Sequence, residues 1–259
     1  VSERQRGAVV SGLWVVIPAF NEERGIGATL EAVAAQSDTH FTVVVVDNNS
    51  TDRTVEIVRA FAAAHPVPPI EVITEPQKGT GAAADTGMRY AIERGATLLA
   101  RTDADCLPAP DWTERIKVAF ASGLRLVSGQ LIPRTDEGVS WRDRVIIRVA
   151  LEVASAFGKV RSGNRDPKYL GPYVMTPGCN MAITAELYLA AGGFPRTAIE
   201  DLHEDRALVN AVRTITTEYG LRRDVRVFGS NRRVRAWGIR KTLAWYADHR
   251  YRPDVVDIR

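Results

Sequence analysis

Apolar positions in the first hundred residues follow two rhythms in turn. Short β-branched runs at Trp14–Ile17 (stopped by Pro18), Phe41–Val46, Ile70–Thr74 and Leu98–Ala100 predict strands. Between them lie helical spacings. Ile26, Leu30, Val33 and Ala34 predict a helix from Glu22, with two glutamates in its first turn. Val55, Val58, Phe61 and Ala62 predict a second, capped by Ser50, and Ala84, Met88, Ala91 and Ile92 a third, opened by the loop Glu75–Gly81. Strands that are apolar throughout are buried on both faces, so the pattern predicts an α/β fold whose mostly parallel sheet is flanked by helices. Ligands of such sheets bind beyond the carboxyl ends of the strands. The polar stretches Ala19–Glu22, Asp47–Thr51, Gln77–Gly81 and Asp103–Asp105 all fall at those ends.

The second half is less regular. Leu124–Ile132 predicts a strand, and residues 141–157 an amphipathic helix. That helix has Val145, Val149, Val153 and Phe157 on one side and Arg142, Arg144 and Arg148 elsewhere. Gly158–Gly178, rich in Gly, Pro and charge, reads as a mobile loop. No repeat or linker divides the chain, so residues 1–259 are expected to form a single domain. Two halves are expected within it, about 11–132 and about 133–220, followed by a basic segment at 221–259.

With 45% hydrophobic and 25% charged residues over 259 positions, the chain falls in the globular class, away from disordered and collagen-like chains. Two cysteines, Cys106 and Cys179, make no disulfide framework. No apolar run is long enough for a membrane span or a signal peptide, and the expected location is cytoplasmic. The net charge of +3 is too small for a nucleic-acid binder. Its distribution is uneven, because residues 221–259 hold 11 Lys/Arg against 4 Asp/Glu. Such a tail suits a phosphate-bearing ligand or peripheral contact with an anionic membrane face, and it equally suits a solvated arginine-rich surface.

Candidate chemistry centres on carboxylates. Asp103 and Asp105 sit two apart at the end of an extended segment, so both project to one side across the small Ala104. Paired carboxylates suit a hard divalent cation, Mg²⁺ or Mn²⁺. Many solvated loops contain the same pattern, and the preceding buried strand is what singles this one out. Asp205 leads the apolar face Leu208, Val209, Val212, where a carboxylate is costly unless paired or facing a cleft. A helix-dipole role at the N-terminus would also account for it. The pair Glu200–Asp201 lies one turn earlier, and periodicity does not separate it from Glu204–Asp205. Pro76–Gly81 offers a place for phosphate or ribose but lacks P-loop spacing. Cys179 reads as a small buried residue, and His203 and His249 as surface residues.

Taken in order, these segments resemble the family-two glycosyltransferases of the GT-A fold, over about Leu13 to Ala244. VVIPAFNEE (Val15–Glu23) is similar to the family's opening strand and nucleotide loop, and VVDNNSTD (Val45–Asp52) to its second strand end. Lys78 with its following glycines, Asp103–Asp105, GCNMA (178–182), GGFP (192–195) and Glu204–Asp205 then follow in the family's order. Asn48 stands where many members have a second Asp, and Asp85 where an Arg is common.

The resemblance implies a metal-dependent hexosyltransferase that moves a sugar from a UDP-, GDP- or dTDP-linked donor to an acceptor hydroxyl, with inversion. It implies donor contacts at Pro18, Ala19, Glu22, Asp47, Lys78, Asp103, Ala104 and Arg232. Metal ligands would be Asp105 with Asp103. The catalytic pair would be Asp205 as base with Glu204. The sugar and the acceptor, a small soluble molecule among the options, stay open. Two rival readings are a nucleotidyltransferase of sugar phosphates and a non-catalytic polyanion-binding protein. The acidic stretch Ala19–Glu23 counts against the first, because that chemistry needs a basic phosphate loop there.

Overall fold

The computed structural model describes residues 12–138, 140–160, 164–196 and 204–242. In chain order the elements are β1 (Leu13–Ala19), α1 (Ile26–Ala34), β2 (Thr42–Asp47), α2 (Thr54–Ala64), β3 (Ile70–Thr74), α3 (Thr80–Glu93) and β4 (Leu98–Arg101). They continue with β5 (Leu107–Pro108), α4 (Trp112–Ala121), β6 (Leu126–Pro133), α5 (Trp141–Val160), β7 (Met181–Thr184), α6 (Ala185–Ala190), α7 (Glu204–Val212), β8 (Tyr219–Gly229) and α8 (Arg232–Trp237).

One eight-stranded sheet runs β3-β2-β1-β4-β7-β6-β8-β5. The strands β3, β2, β1 and β4 are parallel, β7 is antiparallel to both its neighbours, and β6 pairs parallel with β8. Every residue of β1 is buried, and alternation splits the strand between two cores. Trp14 and Val16 pack with Met88, Leu187 and Val209 on one face. Leu13, Val15 and Ile17 pack with Ile26, Leu30, Val58 and Trp112 on the other. Gly87 lets α3 settle onto the sheet, since a Cβ there would lie 2.4 Å from Val16 Cγ1 and 2.7 Å from Val46 Cγ2.

The structure departs from the sequence reading, or completes it, at five points. Helix α1 runs regularly only from Ile26: before it, Glu22 to Gly25 form a single turn, in which the Glu22 carbonyl accepts the amides of Gly25 and Ile26, and the Glu22 side chain points to Arg232. Ser50 caps nothing: its Oγ accepts the Asn21 amide, and Asp52 Oδ1 takes the Thr54 amide at the start of α2. The basic segment begins inside the sheet, since β8 pairs with β6 and buries Val225 and Val227. The loop expected to be mobile is tied down over 164–178: Arg213 donates to the Asn164 and Gly171 carbonyls, Tyr219 Oη to Pro172 O and Ser128 Oγ to Met175 O. Finally, the valine side of α5 faces outward, with Val149 56% and Val153 62% exposed. The side chain of Phe157 lies outside the described residues.

Where β6 shifts register between Gly129 and Gln130, Asn180 fills the gap. Its Oδ1 accepts Trp112 Nε1–H at 2.9 Å, and its Nδ2 donates to Gln130 O and Val225 O at 2.9 and 3.0 Å, with Asn180, Trp112 and Val225 buried and Gln130 partly so. Asn180→Ala leaves these partners unpaired in a dry interior. The expected loss is about 2–4 kcal/mol, seen as a melting temperature lower by roughly 5–15 °C. A melting temperature within a degree of wild type would mean that water replaces the amide.

Candidate active site

Strand order reverses where the chain leaves β3 and returns as β4 beside β1, and ligands of open α/β sheets sit at that kind of crevice. A cavity opens there. It is lined by Pro18 and Ala19 at the end of β1, Glu22 after it, Asn48 after β2, Asp103, Ala104 and Asp105 after β4, and Arg232 with Arg233 from α8. Seven of the expected residues thus meet in one place. At about 170 Å³ the cavity is smaller than sites for ligands of nucleotide-sugar size usually are. One cause is visible: Arg232 lies across it, donating to both Glu22 oxygens at 2.8 and 2.6 Å and pairing with Asp105 Oδ2 at 2.6 Å. Burial works against the Arg232 charge, but the Glu22 hydrogen bonds and the Asp105 carboxylate outweigh it and hold the guanidinium above its ordinary range.

Asp47 and Lys78 are not among the residues lining this cavity. The Asp47 side chain is buried and accepts the Ser50 amide at 3.1 Å. Lys78 is exposed, with Nζ 5.9 Å from the ring centre of Phe20, which does line the cavity. Asn48 faces the site and staples the 75–79 loop: it donates to Glu75 O and Gln77 O and accepts the Gly79 amide. Asp85, on α3, serves packing instead; it accepts from Tyr188 Oη at 2.8 Å and pairs with Arg89 and Arg196. Cys179 is partly exposed and lines the cavity rather than being buried. A hydrogen bond with Cys179 and then burial push the Cys106 thiol up, which leaves it protonated and unreactive.

Glu204 and Asp205 open α7, where carboxylates meet the positive end of the helix dipole. Gly81 admits this segment, because a Cβ there would strike Pro195 O at 2.5 Å. Burial first, and the neighbouring Glu204 charge second, push the Asp205 carboxyl up to about 6, against the Arg206 amide that donates to its Oδ1. The alternative pair Glu200–Asp201, and His203 and His249, lie outside the described residues.

Arg101 connects the two acidic groups. Its side chain is almost wholly buried at the end of β4, with Nε 3.2 Å from Asp103 Oδ1 and Nη2 3.4 Å from Glu204 Oε1. Burial raises the Asp103 carboxyl, and Arg101 pulls against that rise. Sequence reasoning passed over this residue. An arginine ending an apolar strand, two before Asp103 and so on its face, was the available signal. Among the described residues no three His, Cys, Asp or Glu side chains converge as a complete metal cage. A pair of carboxylates such as Asp103 and Asp105 is still a donor set that Mg²⁺ or Mn²⁺ can use together with phosphate oxygens and water.

The sheet order and the carboxylate-lined crevice define the GT-A class of nucleotide-sugar folds. Solved structures agree. A mannosyltransferase from Pyrobaculum calidifontis, PcManGT, in complex with GDP-Man and Mn²⁺, matches with a TM-score of 0.64 at 25% identity, over 87% of this chain and 59% of that one. S. aureus TarS in complex with UDP matches with 0.62 at 16% identity, over 90% and 64%. Among curated relatives, glycosyltransferase AglE of Haloferax volcanii is 37% identical over 120 residues, 45% of this chain and 38% of the relative. The UDP-N-acetylglucosamine–dolichyl-phosphate N-acetylglucosaminyltransferase of Methanococcus voltae is 29% identical over 110 residues, 38% of this chain and 43% of the relative. These alignments span about half or less of the relatives' own lengths. The family model for glycosyl transferase family 2 matches residues 14–185, and the chain belongs to that family.

Proposed function

We propose that this chain transfers a hexosyl group from a nucleotide-diphospho-sugar to an acceptor hydroxyl, inverting the anomeric centre. The observation that carries the reading is the Arg101 bridge, which sets the Asp103–Asp105 corner and the Glu204–Asp205 pair side by side. The diphosphate would lie against the ends of β1 and β4, with Asp105 and Asp103 holding a Mn²⁺ or Mg²⁺ ion. When bound, that ion offsets the charge of the leaving diphosphate. The Mn²⁺ and GDP-Man on the P. calidifontis neighbour support this part of the reading.

Asp205 takes the proton of the acceptor hydroxyl as its oxygen bonds to the anomeric carbon from the face opposite the departing diphosphate. The bond from the anomeric carbon to the diphosphate oxygen breaks in the same displacement. Asp47 and Lys78 are assigned to the nucleotide end, Asp47 reading the base. Asp47 ends β2 next to Asn48, and Lys78 lies in the 75–79 loop that Asn48 holds, so a small shift of that loop would bring Lys78 to the donor. The nucleotidyltransferase alternative fits less well, because the loop after β1 presents Glu22 to the cavity where a triphosphate would need cations.

The test is thermal melting with UDP, GDP and dTDP, alone and as sugar conjugates, in Mn²⁺ and again in EDTA. A bound ligand at roughly 100 times its Kd adds about 2.7 kcal/mol of stability. One nucleotide class is expected to raise the melting temperature, in Mn²⁺ only. No shift with any nucleotide overturns the donor assignment, and equal shifts in EDTA overturn the metal.

A further inference from the structure

Helix α5 is the feature that catalysis does not explain. Five of its large apolar side chains point to solvent: Trp141 (65% exposed), Val145, Ile146, Val149 and Val153. They recur at helical spacing, so they form one stripe about 18 Å long. A soluble surface rarely lines up so many apolar groups without a use for them. The same outward face carries exposed Arg142 and Arg148, with Arg142 stacked on the Trp141 ring. Its exposed acid, Glu152, is already paired with Arg223 from β8 at 3.0 Å.

We propose that the outer face of α5 lies on an anionic lipid surface, with the stripe in the headgroup–acyl boundary and the arginines on lipid phosphates. Charge selects this occupant. With Glu152 held by Arg223, the charges left on this face are Arg142 and Arg148, which anionic lipid complements and which a second copy of the same face offers no free anion to meet. The charges along α5 prevent it from spanning, and no described helix is long and apolar enough to cross a membrane, so it lies flat. The segment leading into the stripe meets the edge of the cavity: Glu137, four residues before Trp141, accepts the amide of Asn231, whose neighbour Arg232 lies across the cavity.

The experiment is cosedimentation of the full chain with phosphatidylcholine vesicles, with and without about 30% phosphatidylglycerol. The chain is expected to partition to the anionic vesicles, less so at high salt, and a Val145→Ser, Val149→Glu double variant to bind roughly tenfold more weakly or worse. Both sites are exposed, and an unchanged melting temperature shows that the variant still folds. Brominated lipid should quench tryptophan emission in wild type, and Trp141→Phe should lose most of that quenching while still binding. Failure to bind anionic vesicles, binding untouched by the double variant, or a wild-type dimer that the double variant dissociates would each overturn the proposal. Vesicle binding needs neither donor nor metal, so it stands or falls separately from the transferase reading.

Discussion

Asp205→Asn should lower turnover by roughly 10²- to 10⁴-fold while leaving the melting shift produced by donor nucleotide as in wild type. The substitution keeps an oxygen to accept the Arg206 amide and removes only the basicity. The pH dependence follows from the environment of the group. Burial and the adjacent Glu204 raise the carboxyl from 3.8 to about 6, and a general base works only when deprotonated. In wild type kcat/KM should thus be flat above about pH 6 and fall about tenfold per unit below it, a limb that the Asn variant lacks. Stability should move the other way. A carboxyl raised in the folded state contributes stability that is complete below pH 3.8 and lost as pH rises through about 6. At pH 8 the buried charge costs wild type stability, so the variant should melt higher there, and the two curves should converge near pH 4. Wild-type turnover in Asp205→Asn would pass the base role to Asp201.

What could be read from the chain alone was set by how local each cause is. The strands β1 and β2 are buried on both faces by residues of their own runs, so Val15–Ile17 and Val43–Val46 announce themselves. The pair Asp103 and Asp105 was visible for the same reason, since two-residue spacing is a property of the strand end. Causes distant in sequence were not visible. Glu22 takes its place in the site because it reaches Arg232, 210 positions away. Arg101 matters because Glu204, 103 positions on, comes to meet it. Strand β8 alternates basic and apolar residues, and its charge masked Val225 and Val227, which hold it in the sheet. Asp47 and Lys78 came from family resemblance rather than pattern, and they are the two donor residues that stand outside the cavity lining. In α5 the spacing foretold the helix and its apolar side, but not what that side faces. An apolar stripe shows that one face avoids water, and what covers that face is decided by the rest of the molecule or by a partner.

Asp105→Ala should abolish the chelator-sensitive part of nucleotide binding and lower transfer by on the order of 10²- to 10³-fold. Arg232 couples the two effects, because Asp105 and Glu22 share it at 2.6 Å each. A cation placed on Asp105 displaces the guanidinium from that carboxylate, and the nearest new anion for it is the diphosphate of the donor. Metal binding and donor binding should therefore reinforce one another through this side chain. Removing Asp105 breaks the exchange on the metal side, so any nucleotide shift that remains should be the same in Mn²⁺ and in EDTA. Arg232→Met breaks it on the other side: Mn²⁺ should still increase nucleotide binding, but the donor KM should rise, because the diphosphate loses a charged partner worth about 1.5–3 kcal/mol per hydrogen bond. If Arg232→Met instead tightens the donor, the Glu22–Arg232–Asp105 bridge acts as a lock on the empty site, and the diphosphate is held by other groups.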